Sequence, residues 1–188
     1  MMRVFLAVEL SSTVRDRIAV LHDEWKARIW SARWVRPENL HLTLRFLGEV
    51  EPSVVAALVE TLPESVRDCR PFSLSLRGGG CFPNAKRPRV VWVGVDPVPD
   101  ELGRLRRAVD KAVRRHGFGP EGRGFDPHLT IARFETSKTP EKSVPLLMMA
   151  LEGRDFGEFP VSEIVLLESR LSPRGASYHA VERISLFT

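Results

Sequence analysis

One tetrapeptide occurs twice in this chain, almost unchanged: His41-Leu42-Thr43-Leu44 and His128-Leu129-Thr130-Ile131. In both copies polar and apolar residues alternate as they do in a β-strand, so His and Thr project from one face and the aliphatic residues from the other. A bare His-x-Thr arises in a chain of this length roughly one time in four, but two copies that share Leu at x and an aliphatic residue after Thr are expected in well under about one chain in a thousand. The repeat therefore demands two strands, each with an apolar face and each offering an imidazole beside a hydroxyl. If those strands face each other across a cleft, two histidines and two hydroxyls are gathered. That is the equipment needed to hold a phosphate and to move protons on either side of it.

The rest of the composition narrows the setting. With 188 residues, 43% hydrophobic and 28% charged, the chain can bury a sizeable core. Residues 1–188 are expected to form one bilobal domain. No apolar run approaches the roughly 20 residues that span a bilayer. The segment Met1–Leu10 reads as a first strand, because Glu9 and a charged amphipathic stretch follow its apolar run where a secretory signal would not place them. A cytoplasmic monomer without a membrane partner is the expectation. The two cysteines, Cys69 and Cys81, have neither disulfide nor zinc spacing and are expected to be reduced thiols. A net charge of +4, carried mostly by arginine, suits a polyanionic partner, although a solvated basic surface accounts for it as well.

Along the chain, residues 2–9 predict a strand, and Val14, Ile18, Leu21 and Trp25 at helical spacing predict a helix capped by Ser11 or Ser12. The first His-Leu-Thr strand is placed at 40–47. Gly48 to Pro52 break the pattern, and a helix opening at Ser53 is expected to end at Pro63. Residues 71–95 predict a hairpin whose basic loop carries Lys86 and Arg87, with Gly78-Gly79-Gly80 as a turn or bulge rather than a phosphate loop. A third helix is expected from Asp100 as N-cap to His116, stopped by Gly117, with Arg104, Arg107, Lys111 and Arg114 on its exposed face. The second His-Leu-Thr strand is placed at 128–134, followed by a short helix at 143–151 and strands near 160–171 and 177–187. The order of elements in the first half is loosely echoed in the second. An α+β fold of two pseudo-symmetric lobes follows, each a mostly antiparallel sheet with helices on its outer face.

Other chemistries are poorly served. No His-Glu-x-x-His, His-x₃-His or Cys cluster accompanies the two histidines, so activity without metal or other cofactor is expected. No Gly-x-Ser-x-Gly elbow supports a nucleophilic triad, and Thr43 and Thr130 are cast as hydrogen-bond donors. His22 reads as a boundary residue of the first helix, His116 as a helix-ending histidine and His179 as a surface strand residue. Phe46 alternates onto the apolar face and is expected in the core. For Tyr178, the only tyrosine, an ordinary strand position is favoured over a ring stacked on a base.

The runs His41-Leu42-Thr43-Leu44-Arg45-Phe46-Leu47-Gly48 and His128-Leu129-Thr130-Ile131-Ala132-Arg133 resemble the 2H phosphoesterases, specifically the RNA 2′,3′-cyclic phosphodiesterases also described as 2′-5′ RNA ligases. The likeness covers nearly the whole chain, from Arg3-Val4-Phe5-Leu6-Ala7 to the strand after Tyr178. It implies a bilobal α+β fold with a metal-independent site in the central groove. The implied reaction opens a terminal 2′,3′-cyclic phosphate of RNA to a 2′-phosphomonoester, and in some members tRNA halves are joined through a reversible 2′-5′ linkage. By motif position the resemblance makes His41 the proton donor and His128 the proton acceptor, with Thr43 and Thr130 on the phosphate. Arg133 matches a family arginine, although strict alternation would turn it to the leucine face. Two alternatives stay open at this stage: an RNA-end binding module without chemistry, and a phosphodiesterase for small nucleotides such as an ADP-ribose cyclic phosphate.

Overall fold

A computed structural model describes residues 1–122, 124–134, 143–173 and 175–187. The elements run β1 (Met2–Glu9), α1 (Ser12–Trp25), β2 (Ala32–Trp34), a 3-10 turn (Pro37–Asn39), β3 (His41–Val50), α2 (Pro52–Val66), β4 (Phe72–Phe82) and β5 (Val90–Val95). They continue with α3 (Asp100–Arg114), β6 (His128–Phe134), α4 (Val144–Leu151), β7 (Asp155–Val161), β8 (Glu163–Ser172) and β9 (Gly175–Ser185). The strands form two sheets, of order β3-β1-β8-β9 and β2-β6-β5-β4-β7, in which the described pairings are antiparallel. Each motif strand thus lies in a different sheet. The architecture is the expected α+β pair of antiparallel lobes.

The helices follow their apolar stripes. Val14, Ile18, Leu21 and Trp25 of α1 are buried, and the Ser11 hydroxyl accepts a bond from the Val14 amide at its start. On α3 the stripe Leu102, Leu105, Val109 and Val113 is buried, Asp100 and Glu101 occupy the first turn, and Gly117 leaves the helix at φ +86°. The first helical residue there is Asp100 itself, with Pro99 as the cap. The large core cluster draws on both sheets and all four helices, while a small second cluster of Phe5, Ala7, Val165 and Leu167 lies on the other face of the first sheet. No helix among the described residues is long and apolar enough to cross a membrane.

Three local expectations are corrected. Helix α2 does not stop at Pro63 but continues to Val66, because Leu58, Leu62 and Val66 extend one fully buried stripe whose packing outweighs the amide that proline lacks. The first motif strand does not break at Gly48 but runs on to Val50, with Gly48 at φ +78° beside a register shift. The segment before β8 holds a separate strand, β7, on the edge of the second sheet, where Pro160 is tolerated. The three-residue β2 has no counterpart among the expected elements.

The two sheets repeat one pairing scheme. Across β1 and β3, Ala7 faces Thr43, Leu6 faces Arg45 and Phe5 faces Phe46, so Leu44 is an extra residue. Across β5 and β6, Trp92 faces Thr130, Val91 faces Ala132 and Val90 faces Arg133, so Ile131 is extra. Each motif strand therefore carries a β-bulge one residue after its Thr. A bulge turns the following side chains to the face opposite the one that alternation dictates.

Candidate active site

That bulge decides what the cleft contains. In β6, Ala132 is pushed into the core and Arg133 emerges beside His128 and Thr130. In β3, Arg45 is pushed inward to 5% exposure, and Phe46, expected in the core, emerges 53% exposed beside His41 and Thr43. All five residues singled out by the sequence, His41, Thr43, His128, Thr130 and Arg133, line one cavity of about 290 Å³, together with Phe46 and Tyr178.

The two imidazoles are held alike. His41 Nδ1 lies 2.7 Å from the Asn39 carbonyl oxygen and His128 Nδ1 lies 2.8 Å from that of Asp126, each acceptor two residues before its histidine. With Nδ1–H donating to a carbonyl, Nε2 is left as the atom that exchanges a proton with a ligand. The Asn39 side-chain amide in turn donates to the Ala176 carbonyl at 2.8 Å, which ties the 3-10 turn to β9.

Aromatic rings back each histidine. His41 lies 4.8 Å from the Phe5 ring and 5.0 Å from Tyr178, the latter edge-on at 89°. Tyr178 thus has a place at the site, brought there by the β1-β8-β9 ladder. His128 meets Phe82 edge-on at 5.2 Å, and Trp92 stacks on Phe82 at 5.3 Å. The triple glycine serves this second wall: β4 bulges between Leu76 and Gly79, and a Cβ on Gly80 would come within 2.8 Å of the Trp92 indole. The chain has no side chain there because the indole occupies its place.

Burial holds the His41 pKa below the ordinary imidazole value, and the nearby Arg133 charge lowers it further, while the carbonyl bond to Asn39 and the carboxylate of Glu9 act in the opposite direction. Arg133 is the permanent cation among the described residues lining the cavity, and it forms no ion pair with another described residue. The hydroxyls of Thr43 and Thr130 have no hydrogen-bond partner among the described residues. These free donors fit an anion. Among the described residues no three His, Cys, Asp or Glu side chains gather as ligands for a metal ion would.

Arg45 is not singled out by the sequence, yet it links the two motifs. From beneath β3 its guanidinium donates to the Gly119 carbonyl and lies 3.6 Å from Asp110 and 3.5 Å from Glu121. Arg106 of α3, equally buried, bonds the same two carboxylates. Gly119 and Glu121 belong to the segment that leads into His128, so the first motif's strand helps to fix the approach to the second. The legible signal is an arginine inside an otherwise apolar run. The other histidines stand apart from this cavity: His22 packs against Trp34, His116 Nε2 lies 2.8 Å from the Thr61 hydroxyl, and His179 is exposed.

Known proteins resemble this chain over nearly its whole length. A family model described as the 2′-5′ RNA ligase superfamily matches residues 13–172. The RNA 2′,3′-cyclic phosphodiesterase of Methanothermobacter thermautotrophicus is 36% identical over 180 residues, covering 96% of each chain. Among solved structures, a protein of Thermus thermophilus superposes with a TM-score of 0.80 at 30% identity, covering 98% of both chains. Escherichia coli LigT complexed with 3′-AMP gives 0.77 at 29% identity, covering 100% of this chain and 99% of its own.

Proposed function

The chain belongs to the 2′-5′ RNA ligase superfamily, and from that premise we propose that its cleft hydrolyses the 2′,3′-cyclic phosphate at an RNA terminus to a 2′-phosphomonoester, by metal-independent acid-base catalysis between two histidines. The observation that carries this reading is the pair of imidazoles lining one cavity, each with Nδ1 bonded to a carbonyl, beside two hydroxyls and an arginine side chain that have no hydrogen-bond or ion-pair partner among the described residues. Mere retention of an anion would be served better by permanent cations than by two titratable rings.

In the proposed step, Nε2 of His128 takes a proton from water as the water oxygen bonds to phosphorus. His41 gives its Nε2 proton to the departing 3′ oxygen as the P–O3′ bond breaks. The phosphate stays on the 2′ oxygen, and exchange with solvent restores both rings. Thr43, Thr130 and Arg133 hold the non-bridging oxygens, where negative charge grows in the transition state. Burial makes His41 a readier proton donor once charged, and the bound phosphate anion supplies the charge that keeps it protonated. If the 5′-hydroxyl of a second RNA takes the place of water, the same groups make a 2′-5′ linkage.

The test is incubation with an RNA ending in a 2′,3′-cyclic phosphate in the presence of EDTA, read by phosphorus NMR. The expected product is the 2′-phosphomonoester. Absence of turnover, a 3′-phosphate product, or turnover only after metal is restored would each refute the proposal. Adding an RNA with a free 5′-hydroxyl tests the ligation arm.

A further inference from the structure

A second cavity of about 410 Å³ adjoins the first and shares Phe46, Arg133 and Tyr178 with it. Beyond those three it is lined by Phe5, Leu171 and Arg3, among others, and no carboxylate lines it. Phe5 stands 5.4 Å from Phe46 and 5.1 Å from Tyr178, so the shared wall is a continuous aromatic surface. Phe46 and Leu171 are 53% and 71% exposed, which leaves an apolar floor facing water. Arg3 is exposed at the far end and makes no ion pair with another described residue, including Glu49, its neighbour across the sheet.

The register sets the length of this groove. Ala7 is level with Thr43, and Arg3 lies four residues further along β1, roughly 13 Å at the rise of an extended strand. An apolar aromatic floor with a free guanidinium at its end matches a nucleotide: rings for a base, a cation for a phosphate. The groove begins where the reacting phosphate would sit.

We infer that the groove from Phe46 and Tyr178 to Arg3 is a second nucleotide subsite, which takes the RNA chain immediately upstream of the terminal residue, with Arg3 on a backbone phosphate. The inference rests on the function proposed above and names its substrate class: oligonucleotide ends in preference to mononucleotides. The α3 stripe does not supply this contact, since none of its exposed cations lines either cavity.

Binding of reaction products tests the subsite separately from the chemistry. Adenosine 2′-monophosphate and a diadenylate bearing a terminal 2′-phosphate are titrated calorimetrically into the wild-type protein, Arg3→Gln and Arg104→Gln. The dinucleotide is expected to bind about tenfold tighter or more, and Arg3→Gln to reduce that ratio about fivefold, as befits loss of one charge-assisted contact. Arg104→Gln removes an equal charge from the outer face of α3 and is expected to leave the ratio as it is. Equal binding of both ligands, a preference that survives Arg3→Gln, or one lost equally in Arg104→Gln overturns the inference. Turnover of cyclic ends with a ratio near one leaves the proposed reaction standing without the subsite. A ratio that responds to Arg3 in a protein without turnover does the reverse.

Discussion

The two motif strands share a register and a bulge but differ at the two positions the bulge redirects. In β3 the inward residue is Arg45 and the residue turned to the cleft is Phe46; in β6 they are Ala132 and Arg133. One strand thus hides its arginine and shows an aromatic ring, while the other hides a methyl group and shows an arginine. The common part, His and Thr before the bulge, carries the paired proton transfer of the proposed reaction. The differing part gives the cleft two unlike walls, one presenting a guanidinium and one an exposed aromatic ring, which the proposed function and subsite assign to phosphate and base. A symmetric frame has been given a direction.

The common part makes the boldest prediction. His41→Ala and His128→Ala should each lower kcat/KM about 10³-fold on a cyclic-phosphate RNA, within the usual range for loss of a general acid or base. A variant that retains more than a tenth of the activity would show that its strand contributes binding only, and the likeness between the walls would end at structure.

The differing part comes next. Arg133→Ala should cost about 10²-fold in kcat, as removal of one oxyanion donor does, and Arg133→Lys should recover only part of it, because an ammonium cannot match the planar fork. Adding Phe46→Arg to Arg133→Ala sharpens the comparison. Should the reacting phosphate sit midway between the walls, the transplanted guanidinium recovers about tenfold. No recovery would place the phosphate nearer β6.

The hidden arginine is read through stability. Arg45→Ala leaves Asp110 and Glu121 with Arg106 as their arginine partner among the described residues. Their 26% and 39% side-chain exposure lets water compensate in part, so a loss of about 2 kcal/mol in urea unfolding is expected, below the about 3–5 kcal/mol of a fully buried pair. The equivalent Ala132 can have no such role. Phe46→Ala should act on affinity instead, raising KM about tenfold for a dinucleotide end with kcat little changed, the size of one lost base stack.

How much of this was written in the sequence depends on how local the cause is. The second motif strand at 128–134 and the stripe of α3 were legible because their periodicities reside in consecutive residues. The pair of histidines was legible because a repeat needs no partner to be seen. The bulges were not, since an extra residue exists only relative to the strand opposite. Alternation alone therefore assigns Phe46 to the core and Arg133 to the leucine face. Tyr178 reaches His41 through β8 and β1, a path no window on the sequence contains. Strand β7, interrupted by Gly157 and Pro160, and the three-residue β2 carry too little pattern to announce themselves.

The finest test of the two walls is electrostatic. Arg133, on one wall, lowers the pKa of His41 on the other, whereas Glu9 raises it. In the proposed role of proton donor, His41 must be charged in the free enzyme, so kcat/KM should fall as pH rises through its titration, which burial and Arg133 set below the ordinary imidazole value. Arg133→Gln removes a repelling charge and should move both the His41 Cε1–H NMR midpoint and the alkaline limb of kcat/KM to higher pH; Glu9→Gln should move both to lower pH. If the NMR midpoint moves while the acid limb follows it in place of the alkaline one, His41 is the acceptor and the roles of the two strands are exchanged.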